Sequence, residues 1–192
     1  MRRRSLRRTT PRKALDRAPG GVRSFLHVQI VRAHPADAPV LSAIAWAAKA
    51  HWGYPASWLE EWREQLTFTP EFVAANETFF ARRDRQIVGC YALVARAEAL
   101  DLAHLWVRPA EMGQGIGRLL FTHALGRAAA RGAARLTIES DPNAEAFYLH
   151  LGAVRVGAVA TEIDGQPRKL PLLIYDLPRS SCSRGRLPRP AF

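Results

Sequence analysis

Three glycines occupy alternate positions between a predicted strand (99–109) and a predicted helix (118–132), at Gly113, Gly115 and Gly117. Glycine is the poorest helix former after proline, so helix stability does not explain them. The first turn of a helix leaves backbone N–H groups unpaired and carries partial positive charge. Residues without a Cβ let an anionic group approach those amides. The segment therefore predicts a phosphate-binding loop, with a ligand-free glycine-rich turn as the alternative.

Two common phosphate-binding motifs do not match this loop. A dinucleotide fingerprint, G-x-G-x-x-G, would require glycine at the position of Arg118. A Walker A loop requires lysine and then serine or threonine after its last glycine, and both are absent here. The loop therefore differs from both motifs.

The rest of the chain alternates between strand-like and helix-like patterns. Predicted strands cover 25–33, 78–83, 86–96, 99–109, 134–140, 153–160 and 169–177, and predicted helices cover 34–52, 55–68, 118–132 and 142–152. Short turns such as Asp84-Arg85 join neighbouring strands and indicate hairpins. The pattern predicts a single α/β (α+β) domain, with a mixed, largely antiparallel sheet flanked by helices.

The net charge of +11 comes from the two ends of the chain. Residues 1–24 hold nine Lys or Arg and one acid, and residues 178–192 hold four Arg and no acid. Residues 25–177 hold 15 basic and 16 acidic side chains, so the predicted domain is nearly neutral. We expect two disordered basic tails, with a nucleic-acid-binding arm or a targeting segment as alternatives. Nucleic acid is not expected to be the principal partner.

The apolar runs and the cysteines indicate the cellular compartment of the protein. No apolar run is long enough for a membrane span, so a soluble protein with no membrane partner is expected. Cys90 and Cys182 are far apart and provide neither a disulfide framework nor a metal quartet. We therefore expect a cytoplasmic protein without a bound metal.

Two motifs together resemble the GNAT superfamily of acyl-CoA N-acyltransferases. They are LWVRPAEMGQGIGRLLF (105–121) and DPNAEAFYLHLGA (141–153), within a resemblance that covers 25–177. The family's pyrophosphate loop, Gln/Arg-x-x-Gly-x-Gly/Ala, is matched at 112–117, with Met112 in place of Gln or Arg. The resemblance implies that acetyl-CoA is the donor co-substrate and that no metal takes part.

The resemblance further implies an N-acetyltransferase. The acceptor would be a primary amine of a small molecule or peptide, attacking the thioester directly in a ternary complex. A non-catalytic coenzyme-A-binding sensor of the same fold is the alternative. Family members often form dimers, so a homodimer is expected by analogy alone.

The resemblance assigns site residues by position. The strand end pairs with the pantetheine arm through Leu105, Trp106 and Val107, and a backbone N–H near Val107 faces the developing oxyanion. The amides that wrap the pyrophosphate belong to Gly113, Gln114, Gly115, Ile116, Gly117 and Arg118, and the Arg118 side chain adds charge. Met112 is the first position of the same cofactor-binding loop. Asn143 contacts the pantetheine. Tyr148 protonates the leaving thiolate, or is simply a core aromatic.

The general base is expected on the strand before the loop. An ideal strand alternation places Asp101 on the same side as Leu105 and Val107, which makes it the leading base, with Glu139 and His51 as rivals. The same alternation puts His104 on the opposite face, where packing or hydrogen bonding is expected.

Aromatic residues follow the first predicted helix. His51, Trp52 and Tyr54 are predicted to line the acceptor pocket, where aromatic rings can face an amine. They can equally form the seam between two helices. Three other tryptophans, at helical spacing, are predicted to be core residues: Trp46, Trp58 and Trp62.

Overall fold

The predicted mixed sheet with flanking helices is confirmed by a computed structural model that describes residues 28–96 and 99–178. The strands are β1 (Val28–Arg32), β2 (Glu77–Arg83), β3 (Gln86–Ala95), β4 (Leu100–Val107), β5 (Arg135–Glu139), β6 (Val154–Ile163) and β7 (Gln166–Asp176). The α-helices are α1 (Ala38–Ala50), α2 (Ala56–Glu61), α3 (Pro70–Ala75), α4 (Ile116–Ala130) and α5 (Glu145–His150). The predicted arm at 1–24, and the tail at 178–192 beyond its first residue, lie outside the described residues.

The seven strands form one sheet in the order β1-β2-β3-β4-β5-β7-β6. Successive strands β1 to β4 pair antiparallel, as do β5 with β7 and β6 with β7. The β4–β5 pair alone is parallel, since α4 carries the chain back across the sheet between them. The fold therefore puts the glycine loop at the end of β4, beside the parallel pair.

Each face of the sheet has its own apolar core. Helix α4 covers one face with Leu120 and Phe121, and helix α1 covers the other with Leu41 and Ile44, all buried. Gly89 lets β3, β4 and α4 pack closely, because a Cβ there would lie 2.7 Å from the Trp106 carbonyl oxygen. The loop at the start of α4 is thereby held against a rigid sheet.

Two helical segments differ from the sequence prediction. The helix predicted over 55–68 ends at Glu61, because the next residue, Trp62, leaves the helical conformation with φ of −82° and ψ of 2°, and turns follow. The amide of Leu66 still donates to the Trp62 carbonyl at 2.9 Å, so the apolar spacing survives without a regular helix. The additional helix α3 begins at Pro70, and the Thr69 hydroxyl caps it by accepting from the Phe72 amide at 3.0 Å.

Two kinds of feature are absent from residues 28–96 and 99–178. No helix there is long and apolar enough to cross a membrane. No group of three or more His, Cys, Asp or Glu side chains there is arranged to hold a metal ion.

Candidate functional site

Strands β4 and β5 diverge soon after they meet. Their paired residues in the described structure are Leu100 with Leu136 and Asp101 with Thr137. Beyond these pairs β4 remains bonded to β3 on its other edge, where Val107 pairs with Gly89. The opening exposes the β5-facing edge of β4 to any extended ligand that can pair with a strand.

A cleft of about 360 Å³ occupies this opening. It brings together most of the residues that the sequence assigns to the cofactor site, namely Leu105, Trp106, Val107, Met112, Gly113, Gly115, Gly117, Arg118, Asn143 and Tyr148. Trp52 also lines it, whereas Gln114, Ile116, His51, Tyr54 and Asp101 do not. Six lining residues were not predicted: Ala48, Asp141, Ala144, Phe147, His150 and Leu151.

The loop beside the cleft contains a row of amides without backbone partners. Among the described residues, the backbone N–H groups of 113–118 donate to no backbone carbonyl, while that of Leu119 bonds to the Gly115 carbonyl at 3.0 Å. Gly113 and Gly115 have φ of 74° and 81°, which side chains with a Cβ rarely adopt. The unpaired amides lie at the positive end of a 15-residue helix, an arrangement suited to a phosphate group.

Gly117 has a different purpose from the other two glycines. A Cβ at Gly117 would lie 3.2 Å from the Phe147 ring, so glycine here lets α5 pack against α4. A Cβ at Gly113 would meet nothing within 4 Å, and its φ of 74° favours glycine on conformational grounds as well. That all three glycines clear space for a phosphate stays a prediction, to which the structure adds the packing of Phe147 at Gly117 and the left-handed backbone at Gly113.

Neighbouring side chains hold the loop in place. Gln114 donates from Nε2 to the Ala110 carbonyl at 2.8 Å and accepts from Arg83 at 3.0 Å. Arg83 also forms an ion pair with Glu111. Ile116 is buried in the core on the α4 face. The side chains of Gln114 and Ile116 therefore support the loop from outside the cleft.

Tyr148 belongs both to the core and to the cleft wall. Its ring packs edge-on against Phe121 and Phe147, with centroids 5.5 and 5.0 Å away. Burial raises the pKa of Tyr148 well above its usual value, which keeps the hydroxyl protonated at neutral pH. The hydroxyl therefore carries a proton at neutral pH, as a proton donor must.

A cluster of buried charges adjoins the cleft at Asp141. The Asp141 carboxylate accepts from Lys49 Nζ at 2.5 Å, Tyr54 Oη at 2.8 Å, and Arg168 Nη2 at 3.3 Å. Asn143 completes the group by donating its amide N–H and its side chain to Asp141 Oδ1. We call these five residues the Asp141 cluster, and they come from α1, the loop after it, the β5–α5 connection and β7.

Burial and hydrogen bonds shift the pKa values of the Asp141 cluster. Burial acts to raise the pKa of Asp141, but the hydrogen bond and charge of Lys49, together with the hydrogen bonds from Asn143 and Tyr54, outweigh it and hold that pKa below the usual value. Burial lowers the pKa of Lys49, against the opposing hydrogen bond and charge of Asp141. Burial, together with the hydrogen bond to Asp141, raises the pKa of Tyr54 to about 12. At neutral pH Asp141 is ionised and Tyr54 is protonated.

Aromatic rings surround the two cations of this cluster. Lys49 Nζ lies 4.1 Å from the centroid of Trp62, and Arg168 Cζ lies 4.8 Å from the same ring. Arg168 also lies 4.9 Å from the ring of Tyr54. Trp62 is in the core, and Trp46 and Trp58 pack against it partly buried, in line with the core prediction.

Sequence reasoning missed Lys49, Asp141 and Arg168. A signal was available for Lys49, which lies eight residues after Leu41 on the buried stripe of α1. Asp141 and Arg168 carry no comparable signal, because a loop and a strand bring them to Lys49 from distant parts of the sequence.

The three residues predicted to line the acceptor pocket lie in three different environments. Tyr54 joins the Asp141 cluster, and its hydroxyl accepts from Asn143 Nδ2 at 2.8 Å. Trp52 lines the cleft and remains 39% exposed. His51 is exposed and contacts Trp52 edge-on, with ring centroids 5.7 Å apart.

The expected placement of Asp101 is wrong. Ala92 pairs with His104 but Leu93 pairs with Leu102, so the extra residue in β4 forms a bulge and reverses the alternation. Leu102 therefore shares the α4 face with Leu105 and Val107, and Asp101 points to the other face. Its carboxylate pairs with Arg96 at 2.9 Å.

Two other titratable residues near β4 have clear positions. Glu139 is exposed at the end of β5. His104 packs against Phe68, with ring centroids 4.5 Å apart, and accepts from Trp106 Nε1 at 3.1 Å. Burial lowers the pKa of His104 to about 4, so the ring is neutral at neutral pH.

Comparisons with known proteins agree with this arrangement. A family model described as the acetyltransferase (GNAT) domain matches residues 41–165. The structure is similar to a GCN5-related N-acetyltransferase from Rhodopseudomonas palustris, with 24% identity, a TM-score of 0.67, and coverage of 79% of this chain and 96% of that one. A comparison with curated proteins finds no match.

Two further solved structures share the fold. PaiA N-acetyltransferase from Thermoplasma acidophilum, solved in complex with coenzyme A, is 17% identical with a TM-score of 0.61, covering 78% of this chain and 98% of its own. The ribosomal-protein-S18-alanine N-acetyltransferase from Escherichia coli is 18% identical with a TM-score of 0.60, and the match covers 81% of this chain and 97% of that one. At these identities the similarity shows the fold alone.

Proposed function

The chain belongs to the GNAT acetyltransferase family, and on this premise we propose that it transfers an acetyl group from acetyl-CoA to a primary amine of a small molecule or peptide. The observation that carries the proposal is the row of unpaired amides at 113–118 beside the diverging strands β4 and β5. One end of the cleft suits a pyrophosphate, and its wall suits an extended arm. Coenzyme A has both parts.

The cofactor site would bind coenzyme A mainly through backbone groups. The amides of 113–118 would hold the pyrophosphate, with charge from Arg118, whose Nη2 lies 3.4 Å from His150 Nε2 in the cleft wall. The free edge of β4 at Leu105 to Val107 would pair with the pantetheine amides. Asn143, already held by Tyr54 and Asp141, would contact the same arm.

The chemistry is a direct attack of the amine on the thioester, which forms a C–N bond and breaks the C–S bond. A backbone N–H near Val107 would stabilise the negative charge on the carbonyl oxygen. Tyr148, protonated and in the cleft wall, would donate its proton to the departing sulfur. Water would take the proton that the attacking nitrogen loses, and the Tyr148 phenolate would regain a proton from solvent. Asp101 has no part in this proposal because it lies outside the cleft and pairs with Arg96.

Thiol release from acetyl-CoA tests this function and separates it from a non-catalytic coenzyme-A-binding sensor. The full chain is incubated with acetyl-CoA and a library of primary amines, and free thiol is measured with time. Amine-dependent release that falls sharply in Tyr148→Phe supports the proposed transferase. Tight binding of acetyl-CoA with no release above the buffer rate for any amine would favour the sensor.

A further inference from the structure

The Asp141 cluster contains more positive than negative charge. Lys49 and Arg168 are cationic and Asp141 is anionic, and their side chains are 10%, 12% and 9% exposed. Within the described ranges, no second carboxylate lies within ion-pair distance of either cation. Burying an uncompensated charge is costly, so an anion bound beside these cations would reduce that cost.

Arg168 has unused hydrogen-bond donors. Its Nη2 donates to Tyr54 Oη at 2.7 Å and to Asp141 at 3.3 Å, while its Nε and Nη1 donate to no acceptor in the described part of the chain. The guanidinium carries five N–H donors in a planar fork that fits a carboxylate. Contacts with the rings of Tyr54 and Trp62 keep this fork in one orientation.

The position of the cluster connects it to the acetyl-transfer site. Asp141 and Asn143 belong to the cluster and also line the cleft with Tyr148. A ligand anion at Arg168 would therefore lie beside the cleft. The aromatic wall and the single excess positive charge fit a carboxylate better than a phosphate dianion. A carboxylate would neutralise the net charge of the cluster, whereas a dianion would make it negative.

We propose that the acceptor amine is an amino acid or another amino-carboxylate, whose carboxylate binds the unused donors of Arg168 in the field of Lys49. This inference rests on the proposed acetyl transfer, and it assigns Arg168 as the residue that selects the acceptor class. Loss of a charge-assisted hydrogen bond of this kind weakens binding about tenfold or more.

A direct binding measurement tests the anion site without turnover. N-acetylglycine and N-acetylglycinamide, which differ only in the carboxylate, are titrated calorimetrically into the full chain. We expect saturable binding of the acid at least about tenfold tighter than of the amide, and this preference lost in Arg168→Met, which keeps an apolar stem. No saturable binding of the acid, equal binding of the amide, or tighter binding of inorganic phosphate would overturn the proposal.

Matched variants separate an anion site from a change in folding. Arg63→Met is the control, because Arg63 also lies over a tryptophan, with Cζ 4.8 Å from the Trp46 centroid, but is exposed and paired with Glu60. It should keep the preference for the acid. If Arg168→Met does not fold, Arg168→Lys retains the charge without the fork and should still weaken binding of the acid. Unchanged binding in a folded Arg168 variant would overturn the assignment.

Turnover measurements then distinguish the proposed acetyl transfer from the proposed carboxylate site at Arg168. Amino acids, their amides and the matching decarboxylated amines are compared as acceptors in the wild type and in the Arg168 variants. In the wild type, kcat/KM for the acids should be at least about tenfold higher than for the amides and amines, and the Arg168 variants should lose this difference. Transfer to amides and amines with no dependence on Arg168 would leave the acetyltransferase standing and overturn the carboxylate site. Arg168-dependent binding of N-acetylglycine without transfer to any amine would overturn the proposed function and leave the anion site standing.

Discussion

Lys49 Nζ lies 2.5 Å from Asp141 Oδ2, and this ion pair joins helix α1 to the connection between β5 and α5. Both side chains are almost completely buried. The contact ties the wall on the α1 side to the segment that carries Asn143 into the cleft. The ion pair therefore connects the part of the site predicted to hold the acceptor with the part predicted to hold the cofactor.

Removing the negative charge of this pair should destabilise the protein strongly. Asp141→Asn leaves Lys49 and Arg168 buried without a counter-ion, and we expect a loss of about 3 kcal/mol in the free energy of unfolding. Urea denaturation measures it. Glu60→Gln, which breaks the exposed pair with Arg63, should leave the free energy nearly unchanged. Equal effects of the two substitutions would contradict the buried arrangement.

Tyr148→Phe should lower kcat by about a hundredfold, because it removes the proposed proton donor. The dissociation constant of acetyl-CoA should change little, since the ring and its packing remain. Tyr175→Phe is a matched control, because Tyr175 also packs edge-on to Phe121, at 5.8 Å, but does not line the cleft. Steady-state kinetics and calorimetry on both variants check this, and unchanged kcat in Tyr148→Phe would exclude the hydroxyl as the acid.

Asp101→Asn should leave the pH dependence of kcat/KM unshifted. The bulge in β4 turns Asp101 away from Leu105 and Val107, and its carboxylate pairs with Arg96 outside the cleft. The measurement is kcat/KM against pH for the wild type and the variant. A displaced acidic limb in the variant would restore Asp101 as the general base.

His104 should make the folded state sensitive to mild acid. Its folded pKa of about 4 lies below the usual 6.5, so protonation favours the unfolded chain. The stabilising effect is fully present above about pH 6.5 and is lost as the pH falls towards 4, at about 1.4 kcal/mol per pH unit. Urea denaturation at several pH values compares the wild type with His104→Asn, whose side-chain oxygen can replace Nδ1 as the acceptor from Trp106. Parallel pH curves for the two proteins would contradict a buried neutral ring.

The central part of the cleft was predictable because its signals are local. The alternating residues of β4, the left-handed backbone at Gly113 and Gly115 and the apolar pattern of α4 all lie within a short stretch of chain. The purpose of Gly117 was not predictable in this way. It depends on Phe147, which lies 30 residues further along the chain, beyond β5.

Features that depend on pairing between distant segments were missed or misplaced. The face of Asp101 follows from one unpaired residue opposite β3, which strand alternation alone does not reveal. The contact between Lys49 and Asp141 joins residues 92 positions apart, and Arg168 reaches Tyr54 across 114. Charged residues in such a cluster resemble ordinary surface residues until the fold brings them together.

The amide row at 113–118 is the central claim, and calorimetric titration of acetyl-CoA into Gly113→Ala and Gly132→Ala tests it most directly. The two glycines have φ of 74° and 75°, and a Cβ at either meets nothing within 4 Å. Both substitutions should therefore cost about 1 kcal/mol in backbone strain. We expect Gly113→Ala alone to raise the dissociation constant at least about tenfold, since only its loop aims amides into the cleft. Equal affinity of both variants and the wild type would contradict the proposed cofactor site.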